Sequence, residues 1–344
     1  MKENIRNFDI RQIEQIVLSM GEPRFRAIQL FGWLYQKGAE TFSEMSDLPE
    51  ELRYNLSQKY TAKFSRPVET FISKDGTKKF VFKLCDNNFI ESVLIPENGR
   101  NTVCVSTQVG CRYNCVFCAS GKLGFVRNLD VAEILGQPLY IKFKENVKIT
   151  NVVFMGMGEP FDNYDALIKA IGIINAKDGV NIGARKITVS TAGIVPKIME
   201  FADIGWQVRL SISLHAPDDA TRSLLMPINR KYPLSDLLDA CNYYVLRTGR
   251  RITIEYVLIA GINDTENHLY GLEKISKRFR ADVNLIPFSR IRNSSFSQPS
   301  EEKIKWFVNF LKKKGIRATF RNSRGSDINA ACGQLAGVRS CVNV

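Results

Sequence analysis

Among the 344 residues no apolar stretch approaches the roughly 18 that a membrane span needs. The N-terminus, Met1-Lys2-Glu3-Asn4-Ile5-Arg6-Asn7, places no apolar segment after its charges, so no secretory signal is read there. Both absences point to a cytoplasmic protein with no membrane partner. Low-complexity tracts and internal repeats are missing too. With hydrophobic residues at 44%, the composition excludes a disordered chain and a collagen-like fibre. Cysteine is sparse outside one place: four of the eight fall within the 15 residues from Cys104 to Cys118. A secreted disulfide scaffold would be smaller and more evenly stapled. Acidic residues are scarce at one end, where residues 275–344 hold 14 Lys and Arg against 4 Asp and Glu. That block carries most of the net charge of +13 and favours a polyanionic partner such as nucleic acid over a randomly charged face.

A chain of this length carries about two domains by the usual size of roughly 150 residues each. Residues 1–64 read as mainly helical, with apolar positions at Ile10, Ile13, Ile16 and Val17, then Phe25, Ile28, Phe31 and Leu34. Residues 67–95 change character. Segments 79–84 and 89–95 read as two strands joined by a turn at Asp86-Asn87-Asn88. From about residue 101 a strand–helix alternation sets in. Strands are expected at 103–107, 150–156, 186–191, 208–214, 252–259 and 282–286, with helices between them and a last strand at 316–320. This pattern fits a parallel sheet flanked by helices, open or curled into a partial barrel. Pro138 interrupts the helical stretch 131–144, where a kink or break is expected.

Chemistry in parallel α/β architectures sits at the carboxyl ends of the strands. The unusual residues fall there. Cys111 to Cys118 follows the first strand and Gly156-Met157-Gly158-Glu159-Pro160 the second; Ser190-Thr191 closes the third and Ser213-Leu214-His215 the fourth. Cys111, Cys115 and Cys118 have the spacing C-x3-C-x2-C on one short loop. Three thiolates can hold a corner of a [4Fe–4S] cluster and leave the fourth iron open to a substrate. The alternative is a structural zinc site with Cys104 as fourth ligand. Taken alone, the Gly-Met-Gly-Glu-Pro run could be a simple turn and His215 a satisfied polar residue. On the same terms Cys332 and Cys104 read as buried hydrophobic side chains.

With aromatic Phe117 before its last cysteine, the loop resembles the radical S-adenosylmethionine (SAM) signature. Longer motifs are more specific: Met155-Gly-Met-Gly-Glu-Pro160, Ser213-Leu-His-Ala-Pro217, Leu225-Met-Pro-Ile-Asn229 and Asp327-Ile-Asn-Ala-Ala-Cys-Gly-Gln-Leu335. Together they resemble the RlmN family of RNA adenine methyltransferases over nearly the whole chain. The resemblance implies an α/β fold: a partial (β/α)6 radical SAM barrel with a mainly helical N-terminal accessory domain and a short β extension. The expected division is residues 1–64 for the RNA-binding accessory domain and 65–100 for the extension. Residues 101–344 would form the core, ending in a segment with a catalytic cysteine.

The same resemblance assigns roles. Cys111, Cys115 and Cys118 would ligate one [4Fe–4S] cluster. Gly158, Glu159, Ser190, Ser213, Leu214, His215 and Ser289 would bind SAM, Ser289 standing where the family usually carries Asn. Cys332 would be methylated by one SAM, and a second SAM would yield a 5′-deoxyadenosyl radical that takes hydrogen from that methyl group. The carbon radical would add to carbon 2 of adenine. Glu91 would accept the ring proton, and Cys104 would release the product by forming a disulfide with Cys332. The expected substrates are 23S rRNA and tRNA, with an electron donor such as flavodoxin or ferredoxin, and the protein is expected to act as a monomer. A Cfr-type carbon-8 methyltransferase is the near alternative, disfavoured by Gly158-Glu159-Pro160 and Arg324-Gly325. A non-enzymatic, zinc-stabilised RNA-binding protein is the distant one. Cys85, Cys241, Cys341 and His268 match no family role.

Overall fold

A computed structural model describes residues 2–291, 294–320 and 324–336. Its frame is a ten-stranded sheet. In chain order the strands are β1 (Pro67–Ile72), β2 (Lys78–Lys83), β3 (Phe89–Glu97), β4 (Arg100–Cys104), β5 (Asn151–Phe154), β6 (Ile187–Thr191), β7 (Arg209–Ser213), β8 (Thr253–Leu258), β9 (Asp282–Pro287) and β10 (Ala318–Phe320). The strands lie side by side in that same order. β1 to β4 pair antiparallel and β4 to β10 pair parallel, so the extension and the barrel strands share one sheet. Helices Val131–Phe143, Tyr164–Asn175, Val195–Asp203, Leu234–Thr248, Glu266–Phe279 and Glu301–Lys313 make the crossovers, giving the partial barrel.

Register divides the sheet into two faces. Opposite residues share a face and alternate residues change face. Val103, Val152, Ile187, Leu210, Ile254, Val283 and Ala318 therefore lie on one side, together with Phe154, Val189, Ile212, Tyr256 and Leu285. All are buried, in one core with Leu135, Leu139, Ile171, Ile198 and Leu237 of the helices. The opposite face carries Lys79, Glu91, Cys104, Ser190, Ser211, Ser213, Glu255, Asn284 and Thr319. One parity builds the core; the other lines the barrel interior.

Several element ends differ from expectation by a residue or two, and two differences matter. The strand expected at 103–107 is Arg100–Cys104; Val105 N–H still donates to Val153 O at 2.9 Å, and the chain leaves the ladder after it. The Gln137 side chain takes both backbone groups of Ser106, at 2.8 and 2.9 Å, and Thr107 N–H donates to Met157 O instead. Gln137 also explains Pro138. No break occurs, and the helix runs through from Val131 to Phe143. A proline costs an internal helix hydrogen bond, but here the neighbouring side chain anchors the helix to the sheet and donates to Glu133 O at 3.2 Å.

The N-terminal segment closes one flank. Asp9 and Gln12 form a capping box on helix Ile10–Ser19, and helices Phe25–Gly32 and Glu50–Lys59 follow. Arg6, fully buried, donates to the carbonyls of Ala62, Leu34 and Ala39 at 3.1, 2.5 and 2.9 Å and holds these pieces together. The Asn7 side chain accepts from Ala132 N–H at 2.8 Å, joining this flank to the first turn of helix Val131–Phe143. Among the described residues no helix is long and apolar enough to cross a membrane.

Candidate active site

The cysteine loop leaves the rim between two short antiparallel strands, Gln108–Gly110 and Phe125–Asn128. Backbone hydrogen bonds fix its shape: Cys111 N–H to Gly124 O at 2.9 Å, Val116 N–H to Leu225 O at 3.1 Å and Cys118 N–H to Cys115 O at 3.0 Å. Burial pushes all three thiols up, Cys111 to about 12, and Cys111 and Cys115 are raised further by the charge of neighbouring thiolates. Three soft donors that resist ionising alone suit a cationic group that takes them as thiolates. Beside Cys115 stands Arg222, buried and lowered by that burial only to about 10, so it is charged at neutral pH. Its terminal nitrogens donate to Asn229 Oδ1 and Ala192 O, both at 2.7 Å, whereas its buried Nε has no partner in the protein. Three thiolates around a cationic metal core make a group of net negative charge, and the Arg222 guanidinium, its Nε without a partner in the protein, fits beside such a group.

Gly158 and Glu159 lie against the same loop. Gly158 has φ +94°, and a Cβ there would stand 2.5 Å from the Gln108 side chain, so only glycine fits. Glu159 is buried. One of its oxygens accepts from Ala192 N–H at 2.7 Å and the other from Phe161 N–H at 3.0 Å. Burial nonetheless pushes its carboxyl up to about 7 against those hydrogen bonds. A cation docking here would meet a carboxylate already aimed by backbone amides.

Ser190 and Ser213 are neighbours at the ends of β6 and β7, with their hydroxyls 3.5 Å apart. Leu214 N–H donates to Glu255 O at 3.1 Å. His215 takes φ +56° and turns its ring onto Phe117, with centroids 4.7 Å apart. Its Nδ1 accepts from Val257 N–H at 3.0 Å, and burial, with Arg222 nearby, lowers its pKa to about 3. The imidazole is therefore neutral, its proton on Nε2. Ser289 follows β9 and lines a cavity of about 1080 Å³ with Phe288, Arg290 and Gln334.

The C-terminal segment crosses the polar face and joins these parts. Ala119 N–H, next to Cys118, donates to Gly333 O at 2.7 Å, and Ser120 Oγ donates to Leu335 O at 2.5 Å. Gly333 has φ +81° and its Cβ position lies 3.0 Å from Phe117 O, so the segment can lie this close only with glycine there. Cys332 itself is exposed, within electrostatic reach of the buried Cys104. Burial first, then Cys332, pushes the Cys104 thiol up. Glu91 is buried and ion-paired to Lys79 at 3.2 Å, and its other oxygen accepts from Ala336 N–H at 2.8 Å.

The sulfurs thus fall into two groups, the loop of three and the pair Cys104–Cys332. Cys104 feels the charge of Cys332 and of none of the three loop cysteines, which favours its pairing with Cys332 over the zinc arrangement. Among the described residues no three Cys, His, Asp or Glu side chains converge on one ion. Lys79 and Arg222 escaped the sequence reading. A lysine in a strand and an arginine in a short helix carry no local sign of being buried. His268 bridges Thr221 and Thr265, tying two helices together. Cys85 is exposed, Cys241 is in the core, and Cys341 lies outside the described residues.

Fold and site define a radical SAM enzyme, and residues 105–271 match the Radical SAM superfamily model. Such an enzyme works with a [4Fe–4S] cluster and SAM. Residues 3–61 match the model described as "Ribosomal RNA large subunit methyltransferase N-terminal domain". A protein of Geobacillus kaustophilus described as "probable dual-specificity RNA methyltransferase RlmN" is 45% identical over 335 residues, 96% of this chain and 92% of its own. One of Clostridium perfringens with the same description is 45% identical over 334 residues, 97% and 96% of the two chains. The crystal structure of a radical SAM methyltransferase from Sphaerobacter thermophilus superposes with a TM-score of 0.93 at 42% identity, over 98% of this chain and all of that one. The chain belongs to the RlmN family of radical SAM methyltransferases and is a transferase. That membership removes the non-enzymatic reading.

Proposed function

We propose that the protein methylates carbon 2 of adenosine in 23S rRNA and in tRNA, in the cytoplasm and as a monomer. The observation that carries this reading is the docking of the Cys332 segment. It brings Cys332 beside Cys104 and onto the cysteine loop, with Glu91 bonded to Ala336. A methyltransferase that merely passed a methyl group from SAM to its substrate would need no second thiol there.

In this reading Cys111, Cys115 and Cys118 hold one cluster, and Arg222 offsets its negative charge. Gly158, Glu159, Ser190, Ser213, Leu214, His215 and Ser289 hold SAM. Glu159 faces its ammonium, Gly158 lets the backbone approach, and the two serines reach the nucleoside. Cluster and SAM, fed by flavodoxin or ferredoxin, supply a 5′-deoxyadenosyl radical, and a second SAM per turnover supplies the methyl group. Cys332 Sγ carries that methyl and gives up one of its hydrogen atoms, and the carbon left on sulfur bonds to the adenine ring. The ring radical so formed gives one electron back to the redox chain that supplied it, and Glu91 takes the ring proton. Cys104 Sγ gives up its proton and bonds to Cys332 Sγ; the carbon–sulfur bond breaks, and the bridging carbon takes a proton and stays on the RNA as its methyl group. Covalent catalysis is needed because carbon 2 is electrophilic and cannot attack a sulfonium methyl group.

Mass spectrometry of rRNA and tRNA from cells with and without the gene tests the proposal. The expected result is 2-methyladenosine lost on deletion and restored by the gene. Loss of 8-methyladenosine instead would move the assignment to the carbon-8 reaction, and unchanged RNA would overturn it.

A further inference from the structure

Lys79 has no role in the chemistry described so far, yet it lies where that chemistry converges. Its neighbours on β2 are Phe80, Val81 and Phe82, all buried, and its own side chain is 3% exposed. Register places Lys79 opposite Val93 and Glu91 opposite Val81, so the two side chains sit diagonally on the interior face. The Nζ stands 3.2 Å from Glu91 Oε1, donates to Asn329 O at 3.4 Å, and lies 5.1 Å from the centre of the Phe71 ring. An ammonium has three N–H groups; the carboxylate and the carbonyl take two of them, and the Phe71 ring packs beside the third side of the head group. Glu91 grips the same segment from its other oxygen, through Ala336 N–H. One buried ion pair thus holds the chain three residues before Cys332 and four after it.

We infer that Lys79 is a positioning residue for the proton acceptor Glu91, holding it in register with the segment that carries Cys332. This rests on the roles proposed above for Glu91 and Cys332. A general base must be an anion aimed at its proton, and a carboxylate buried without a cation favours its neutral form. Lys79 offsets that burial and fixes the direction of the carboxylate. In the step it serves, the carbon 2–hydrogen bond breaks, its electron pair stays with the ring, and the proton passes to Glu91. Lys79 neither gives nor takes a proton. Its second contact, to Asn329, sets the Cys332 segment against the same charge pair, so acceptor and sulfur keep one spacing.

The test uses the full-length protein reconstituted with cluster, given SAM and an RNA substrate, as wild type, Lys79→Met, Lys79→Gln and Lys79→Arg. Three quantities are followed: methyl on Cys332 by peptide mass spectrometry, covalent protein–RNA adduct by nuclease-sensitive gel shift, and 2-methyladenosine released. Lys79→Met should keep the methyl on Cys332 and still form adduct, while released product falls about tenfold or more, a part of the roughly 10²–10⁴-fold that a general base contributes, and adduct accumulates. Lys79→Arg should restore much of the release. Lys79→Gln keeps hydrogen bonding without charge and should behave like Lys79→Met, which carries the test if Lys79→Met does not fold. Wild-type release from both neutral variants overturns the inference. So does loss of the Cys332 methyl together with product, or failure of arginine to restore release, because either marks Lys79 as a folding element alone. A wild-type enzyme with no methyl on Cys332 would overturn the proposed function itself, and the role of Lys79 with it.

Discussion

The two faces of the sheet are made by the same strands and solve opposite problems. On the helix side, Val103, Phe154, Val189, Ile212, Tyr256 and Leu285 are each no more than 2% exposed and pack in the apolar core, the one hydroxyl among them, that of Tyr256, donating to Asn263 O at 2.8 Å. The interior side mixes polar residues with valines such as Val81 and Val93, and several of its polar groups pair across neighbouring strands. Lys79 meets Glu91, Asn284 donates to Glu255 at 2.6 Å, and Thr319 donates to Asn284 at 3.2 Å. Buried polar groups are costly unless satisfied. An interior built this way gives little stability and much geometry. The difference yields a rule: changes on the interior and rim should stop the chemistry with the fold intact, and changes on the helix side should do the reverse.

The largest break is expected at the cysteine loop. Cys115→Ala removes one of three proposed cluster ligands, so the anaerobically reconstituted variant should lose its iron and all activity while the rest of the fold stands. Iron analysis and absorbance in the visible range check this, and near wild-type iron would contradict the ligand assignment. Cys104→Ala should come next. Methylation of Cys332 and attack on adenine do not use Cys104, but release does, so a covalent protein–RNA adduct should build up. A double variant that also carries Cys332→Ala should show none. Free product at normal yield from Cys104→Ala would refute its role in release.

How far these residues were legible follows from the distances their relations span. The three loop cysteines declare themselves because their spacing is local, eight residues from first to last. The seven parallel strands were legible too, since each is a short segment with apolar residues at alternate positions that recurs between helical stretches, and so was the gathering of Gly158, Ser190 and Ser213 at strand ends. Cys104 and Cys332 were different. Nothing local pairs them, and only the full-length motif resemblance did. Lys79 was invisible because its burial depends on the register of two strands and on a segment 250 residues further along. Pro138 misled for the same kind of reason: a tertiary bond from Gln137 to Ser106 outweighs a local preference. Long-range pairing, rather than residue type, set the limit of the reading.

On the helix side the expected effect is on stability alone. Phe154, on β5 and fully buried, fills the core between sheet and helices. Phe154→Ala should cost about 3–5 kcal/mol through lost burial and the cavity left behind. Denaturant unfolding measures the loss, and activity per folded molecule should stay within a few-fold of wild type. A large fall in that specific activity without loss of stability would break the division between the faces.

The smallest effect sharpens the comparison at the rim, where one residue belongs to both sides. His215 sits at a strand end among the proposed SAM-binding residues, yet is as buried as the core. Burial, then the charge of Arg222, lowers its pKa to about 3. Protonation would also put a hydrogen on Nδ1, which now accepts from Val257 N–H. In the unfolded chain a histidine titrates near 6.5. Above that value both states are neutral, and the group has no influence on stability. Between about 6.5 and about 3 only the unfolded state takes the proton, so folding weakens as pH falls. Below about 3 both states are charged and the loss stops growing. His215 should therefore contribute about 1.4 kcal/mol of lost stability per pH unit within that window. Stability of wild type and His215→Gln, measured by denaturant unfolding at pH 7.5, 6 and 5, checks the slope. Glutamine has no proton to gain there, so the variant should lose less stability than wild type as pH falls, whatever its stability at pH 7.5. Parallel curves would mean that His215 protonates in place, and that the rim is more open to water than its packing against Phe117 implies.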